Sequence, residues 1–288
     1  MSIRDLMKSG TLILLLLLST TAYSKVSPKH VQLLNRITVP SAKINPFILF
    51  ELSARTPNCV NQEPGCLRNE EALAKKNLEE KVRVVSKQLD QYFNALIGSY
   101  TPQIQKELKK MYYDQVYVFE DALHVETGGD FGVTRGSFFP NRIELKVHLD
   151  RKIARTALFS KIVLIHEIGV HAGQTWDLFT KGGPAKFHEL MQSPVFRTFT
   201  ELSAAFVMKR IFDSIDPEVL EYDILTNVPH QIVREAIFKH CTWVKSSQWK
   251  TSAWLLGKRT LESRYADQSV DYDFVKSLSE RFENSEQK

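Results

Sequence analysis

The pattern of apolar residues changes once along this chain, near Asp150, and that change limits what the chain can fold into. Just before it, Arg142-Ile143-Glu144-Leu145-Lys146-Val147-His148 alternates polar and apolar side chains, the period of a half-buried strand. Just after it, Leu158, Ile162, Ile165 and His166 recur at helical spacing. Ser193-Pro194 then caps and opens a run through Phe196, Phe199, Leu202, Phe206 and Ile211. Further helices are expected over residues 217–225, 229–240 and 250–264. Strands that cluster before residue 150, with helices dominating after it, predict an α+β domain.

The upstream half fits that class. Leu78, Val82, Val85, Leu89, Phe93 and Leu96 recur at steps of three and four, which predicts a helix of about seven turns capped by Asn69. Thr101-Pro102 is a second cap-and-proline pair, opening a helix to Tyr113, and Val116 to Phe119 reads as a short strand. The stretch TGGDFGVTRG, residues 127–136, is rich in glycine and predicts a loop or hairpin turn. The Pro-punctuated segment 25–68 reads as mostly irregular, so the folded domain is expected over 69–288.

The N-terminus stands apart. Arg4 and Lys8 precede an apolar run from Leu12 to Leu18, and Ala22-Tyr23-Ser24 offers small residues for cleavage, so residues 1–24 read as a secretory signal peptide. Periplasmic or secreted export from a bacterium follows as the expectation, with no membrane attachment after cleavage. Cys59 and Cys66 flank the turn-rich VNQEPG and either close a local disulfide, worth about 2 kcal/mol, or remain separate thiols. Cys241 is left over and is expected to be buried. A net charge of +5 spread along the chain leaves no nucleic-acid footprint.

Within the helix after Asp150 lies HEIGVH, residues 166–171. It has the composition of the zinc motif H-E-x-x-H with one residue too many. Four residues of α-helix turn about 400° and put two side chains on one face, whereas five leave them about 140° apart. A π-turn adds one residue and would return His166 and His171 to a common face, and Gly169 between them offers no side chain against the distortion. Glu167 adjoins the first histidine, where a carboxylate reaches a metal-bound water without taking a ligand position. Zinc chemistry needs a third protein ligand. Glu201 offers one from a mostly apolar helix; Asp177 is the alternative, at a spacing resembling the third ligand of metzincins. Those enzymes place a glycine where this chain has Gln174, with Gly173 one position early.

HEIGVH resembles the H-E-x-x-x-H variant of the gluzincin-type metallopeptidases. It is similar in particular to the tubulin tyrosine carboxypeptidases and their bacterial relatives with a Q-E-G-L-A motif. That family reads H-E-I-G-T-H, from which this chain differs at Val170, and Thr200-Glu201-Leu202-Ser203-Ala204 shares the Glu and final Ala of the second motif. The likeness spans roughly residues 160–210. It implies a zincin-like fold, zinc held by His166, His171 and Glu201, Glu167 as general base, and a peptide or protein substrate. It also implies a transition-state stabiliser downstream, where His230, Tyr222, Tyr265 and Tyr272 lie. His124, His148, His188, His230 and His240 have no paired spacing and are expected to be structural or exposed.

The function expected from these features is that of an exported zinc metallopeptidase, with the 142–148 strand as the sheet edge along which an extended substrate pairs. A zinc-binding envelope protein without hydrolytic activity, and a helical binding module in which HEIGVH is accidental, are the alternatives.

Overall fold

Proline sets where the helices of this chain begin. The computed structural model describes residues 26–42, 64–115, 117–121, 123, 131–245, 277–278 and 280–281. In it α1 (Pro28–Leu34), α2 (Pro64–Ile97) and α3 (Pro102–Tyr113) all open on proline. Proline's fixed φ suits the first turn, where its missing N–H would have had no partner. Asn69 therefore lies inside α2 and does not cap it, because Pro64 starts the helix earlier. Of the segment expected to be irregular, α1 and the first turn of α2 are helical. The signal segment, Cys59 with its proposed bridge to Cys66, and the helix expected at 250–264 lie outside the described residues.

Three strands follow: β1 (Tyr117–Glu120), β2 (Gly132–Phe138) and β3 (Ile143–Asp150). Their order is β1-β3-β2, with β1 parallel and β2 antiparallel to β3. This corrects two expectations. The strand read at 142–148 is the centre of the sheet and not its edge, because β1 arrives from the preceding helix to pair with its other side. The edge beside it is β2, drawn from the stretch expected to be a turn. Glycine in a strand marks close approach of a neighbour, and Gly132 and Gly136 on β2 are such positions.

After a short turn at Arg151–Ile153 the chain enters α4 (Phe159–Leu164), a π-helical segment (Ile165–Ala172) and α5 (Gly173–Met191) without a break. Then come α6 (Pro194–Ser214), α7 (Pro217–Asn227) and α8 (Gln231–Lys245). Ser193 and Asp216 cap α6 and α7 with their side chains. At Gly183, φ is 69°, and Pro184 follows, so α5 bends where Gly182-Gly183-Pro184 interrupts the helical pattern.

The π-helical segment runs through the centre of the molecule: Ile165, Ile168, Val170 and Ala172 are fully buried. Phe93, Phe159, Phe199 and Phe212, from three different helices, share that core. Each such side chain, fully buried, contributes about 1.5–3 kcal/mol. Asp223 of α7 anchors the start of α4 by accepting from the Ala157 and Leu158 amides at 2.9 and 2.8 Å. The strap around α1 is pinned from both sides. Arg281 donates to the carbonyls of Leu34, Asn35 and Ile37, and Gln174 donates to that of Thr38. Among the described residues no helix is long and apolar enough to cross a membrane.

Candidate metal centre

The surplus residue in HEIGVH is absorbed by the backbone. Eight residues, Ile165–Ala172, follow the wider π path, more than the single bulge that the spacing demands. At the end of the segment the Gly173 N–H reaches the Ile168 carbonyl, five residues back. Gly169 contributes through packing: a Cβ there would stand 3.0 Å from Leu96 of α2.

Hydroxyls from three places lie against carbonyls on alternate residues of the segment. Thr134 Oγ1 of β2 lies 3.1 Å from Glu167 O, Tyr100 donates to Gly169 O at 3.0 Å, and Thr175 donates to His171 O at 2.6 Å. Burial, with the charge of Asp177 adding to it, holds the Tyr100 phenol well above its ordinary pKa, so it stays a donor.

The wider turn brings His166 and His171 to one face, Nε2 to Nε2 at 2.9 Å. Glu201 arrives from α6, its carboxylate 3.7 Å from His171 Nε2. Ligand atoms of the three residues all lie within 4.8 Å of one another, and the group can hold a metal ion. The chemistry of the donor set fits. His166 Nδ1 faces the sulfur of Met208 at 2.9 Å; a thioether only accepts, so Nδ1 carries the proton and Nε2 presents its lone pair. His171 Nδ1 faces Thr200 Oγ1 at 2.9 Å, a hydroxyl that can accept from Nδ1–H when Nε2 is given to an ion. An approach of 2.9 Å between the two Nε2 atoms needs a proton or a cation between them. The spacing fits as well: with Zn–N bonds of about 2.0–2.1 Å, tetrahedral ligand atoms stand roughly 3.4 Å apart, between the two separations found here.

Glu167 lies beside this group without joining it. It is 5% exposed, with Oε1 3.7 Å from His166 Nε2 and Oε2 accepting from Thr134 at 2.8 Å. Asp177, the alternative ligand, is not one of the converging group and is engaged elsewhere. Its Oδ2 accepts from the Thr38 amide at 2.7 Å and from Lys181 at 2.8 Å. Six residues of helix turn roughly 600°, which carries Asp177 about 120° around from His171.

Of the other candidates, Tyr222 bonds Glu79 on the α7–α2 surface, His148 pairs with Glu120 across the sheet, and His188 packs on Phe138 and Phe187. His230 is exposed at the start of α8, and Tyr265 and Tyr272 lie outside the described residues. Three contributors escaped the sequence reading. Thr200 precedes Glu201 directly, and Met208 follows it by seven residues, the two-turn repeat that returns to one helix face. That repeat was a usable signal. Thr134 had none, buried as it was in a glycine-rich string.

No protein-family model matches this chain, and neither a curated protein nor a solved structure matches it.

Proposed function

We propose that the protein is an exported zinc-dependent metallopeptidase of zincin type, acting on a peptide or protein substrate. One observation carries the reading: three ligand side chains converge while a fourth, Glu167, is held buried beside them and outside the set. His166, His171 and Glu201 hold the ion. Bound there, zinc supplies a Lewis acid that lowers the pKa of a water and polarises the scissile carbonyl. Glu167 takes the proton from the attacking water on Oε1 and returns it to the leaving amine. Met208 keeps His166 in the tautomer that offers Nε2, and Thr200 accepts from His171 Nδ1 once its Nε2 is on the ion.

The edge strand of this reading is β2. Its residues from Arg135 to Phe138 are exposed, and its free side is where an extended substrate pairs. Export follows from the basic and apolar pattern of residues 1–24.

Zinc-loaded protein is expected to cleave members of a peptide library, and Glu167→Gln to abolish cleavage while retaining the ion. Cleavage that survives Glu167→Gln would overturn the role given to Glu167. Zinc binding without any cleavage would favour the non-hydrolytic alternative.

A further inference from the structure

The two oxygens of Glu167 have different surroundings. Oε1 faces His166 Nε2 at 3.7 Å, and Oε2 accepts from Thr134 Oγ1 at 2.8 Å. The Thr134 hydroxyl has one proton and a second acceptor within reach, Glu167 O at 3.1 Å. A carboxylate is the stronger acceptor, and here it is also the nearer, so the proton goes to Oε2.

The strand is shaped around this side chain. At Gly132, two residues earlier on the same face, a Cβ would stand 2.9 Å from Glu167 Cγ and 2.6 Å from Val163 Cγ1. The face thus has no side chain at one position and a hydroxyl at the next. Both positions are fixed by the β2–β3 ladder, Gly132 opposite Leu149 and Thr134 opposite Val147. Threonine is itself stiff at χ1. A valine would fill the same space and could not donate, so space filling and hydrogen bonding are separable here.

From these contacts we infer that Thr134 is the positioning residue for Glu167: its hydroxyl ties down one carboxylate oxygen so that the other alone faces the ligand cluster. The inference rests on the metallopeptidase reading of that cluster. Its weight comes from geometry, since misplacing a reacting group by about 1 Å can cost on the order of 100-fold in rate.

The test uses zinc-loaded full-length protein and acetohydroxamate, a zinc chelator whose acidic proton needs a carboxylate beside the ion to receive it. Zinc affinity and hydroxamate affinity are measured separately by calorimetry. Thr134→Val is expected to leave zinc affinity unchanged and to weaken acetohydroxamate about tenfold, with Thr134→Ser restoring it to within about twofold. In a Glu167→Gln background Thr134→Val should cost nothing further, because the hydroxyl acts through the carboxylate.

Unchanged hydroxamate affinity in Thr134→Val would overturn the inference. So would an equal loss in the Glu167→Gln background, or a parallel fall in zinc affinity, which would mark Thr134 as a support of the fold alone. Wild-type protein that binds no zinc would instead defeat the metal reading itself, and this inference with it.

Discussion

Two acidic side chains on neighbouring helices, Glu201 on α6 and Asp177 on α5, were both candidates for one role, and the fold treats them oppositely. Asp177 is 1% exposed and already neutralised: Lys181 stands 2.8 Å from Oδ2, and the Thr38 amide donates to the same oxygen. Glu201 faces the Nε2 of His171 at 3.7 Å, with 21% of its side chain exposed. Burying a carboxylate is costly unless it is paired, and the two residues meet that cost differently. Asp177 uses an internal ammonium and joins the N-terminal strap to α5. Glu201 is set among groups that together suit a cation from solution. Availability to an ion, more than burial, separates a ligand from a structural anion.

The largest effect should fall on zinc affinity. His171→Ala and Glu201→Ala are each expected to lower it by at least roughly 100-fold in competition against a chromophoric chelator, and Asp177→Asn to leave it within about threefold. A comparable loss in Asp177→Asn would erase the distinction.

Stability should show the reverse ranking. Asp177→Ala removes the acceptor of the part-buried Thr38 amide and the carboxylate of the Lys181 ion pair, leaving Lys181 only the Arg36 carbonyl and the Thr38 hydroxyl. After discounting for the exposure of Lys181, the expected cost is about 2 kcal/mol. Glu201→Ala should move the metal-free melt less, and an equal or larger shift would contradict the comparison.

A smaller effect is expected where the π segment ends. A Cβ at Gly173 would lie 2.6–2.7 Å from the ring and hydroxyl of Tyr100. Gly173→Ala should therefore cost about 1–3 kcal/mol and weaken zinc binding by displacing the Tyr100 hydroxyl from Gly169 O. Wild-type zinc affinity in this variant would show that the segment keeps its path without that contact.

The smallest effect is a pH slope. Burial pushes the Asp223 carboxyl above its ordinary pKa, although the Ala157, Leu158 and Phe159 amides and Asn227 pull it back. The native state then holds the proton to higher pH than the unfolded chain. The associated stability is complete below the ordinary carboxylate pKa of about 3.9 and is lost as pH rises through the native value. Melts taken upward from about pH 4 should therefore fall more steeply for wild type than for Asp223→Asn. Parallel curves would contradict this sign.

What the sequence disclosed depended on range. Local periodicity placed α3 and α6 through Thr101-Pro102 and Ser193-Pro194, and the spacing of His166 and His171 required π geometry. Its extent over eight residues was not legible, because it depends on Tyr100 and Thr175 arriving from elsewhere or from the next turn. Alternation from Arg142 to His148 marked a strand but not its rank in the sheet, since pairing with β1 is a long-range choice. The glycines of β2 read as a turn because glycine is locally permissive. Only Glu167 and Val163, packed against Gly132, explain why a strand lacks a side chain there.

The most direct test of the metal centre is anomalous diffraction at the zinc edge from crystals of the zinc-loaded protein. The account predicts one peak per chain, within bonding distance of His166 Nε2, His171 Nε2 and a Glu201 oxygen, with Glu167 beside it and unbound. No peak at that point, or a peak on Asp177 in its place, would contradict it.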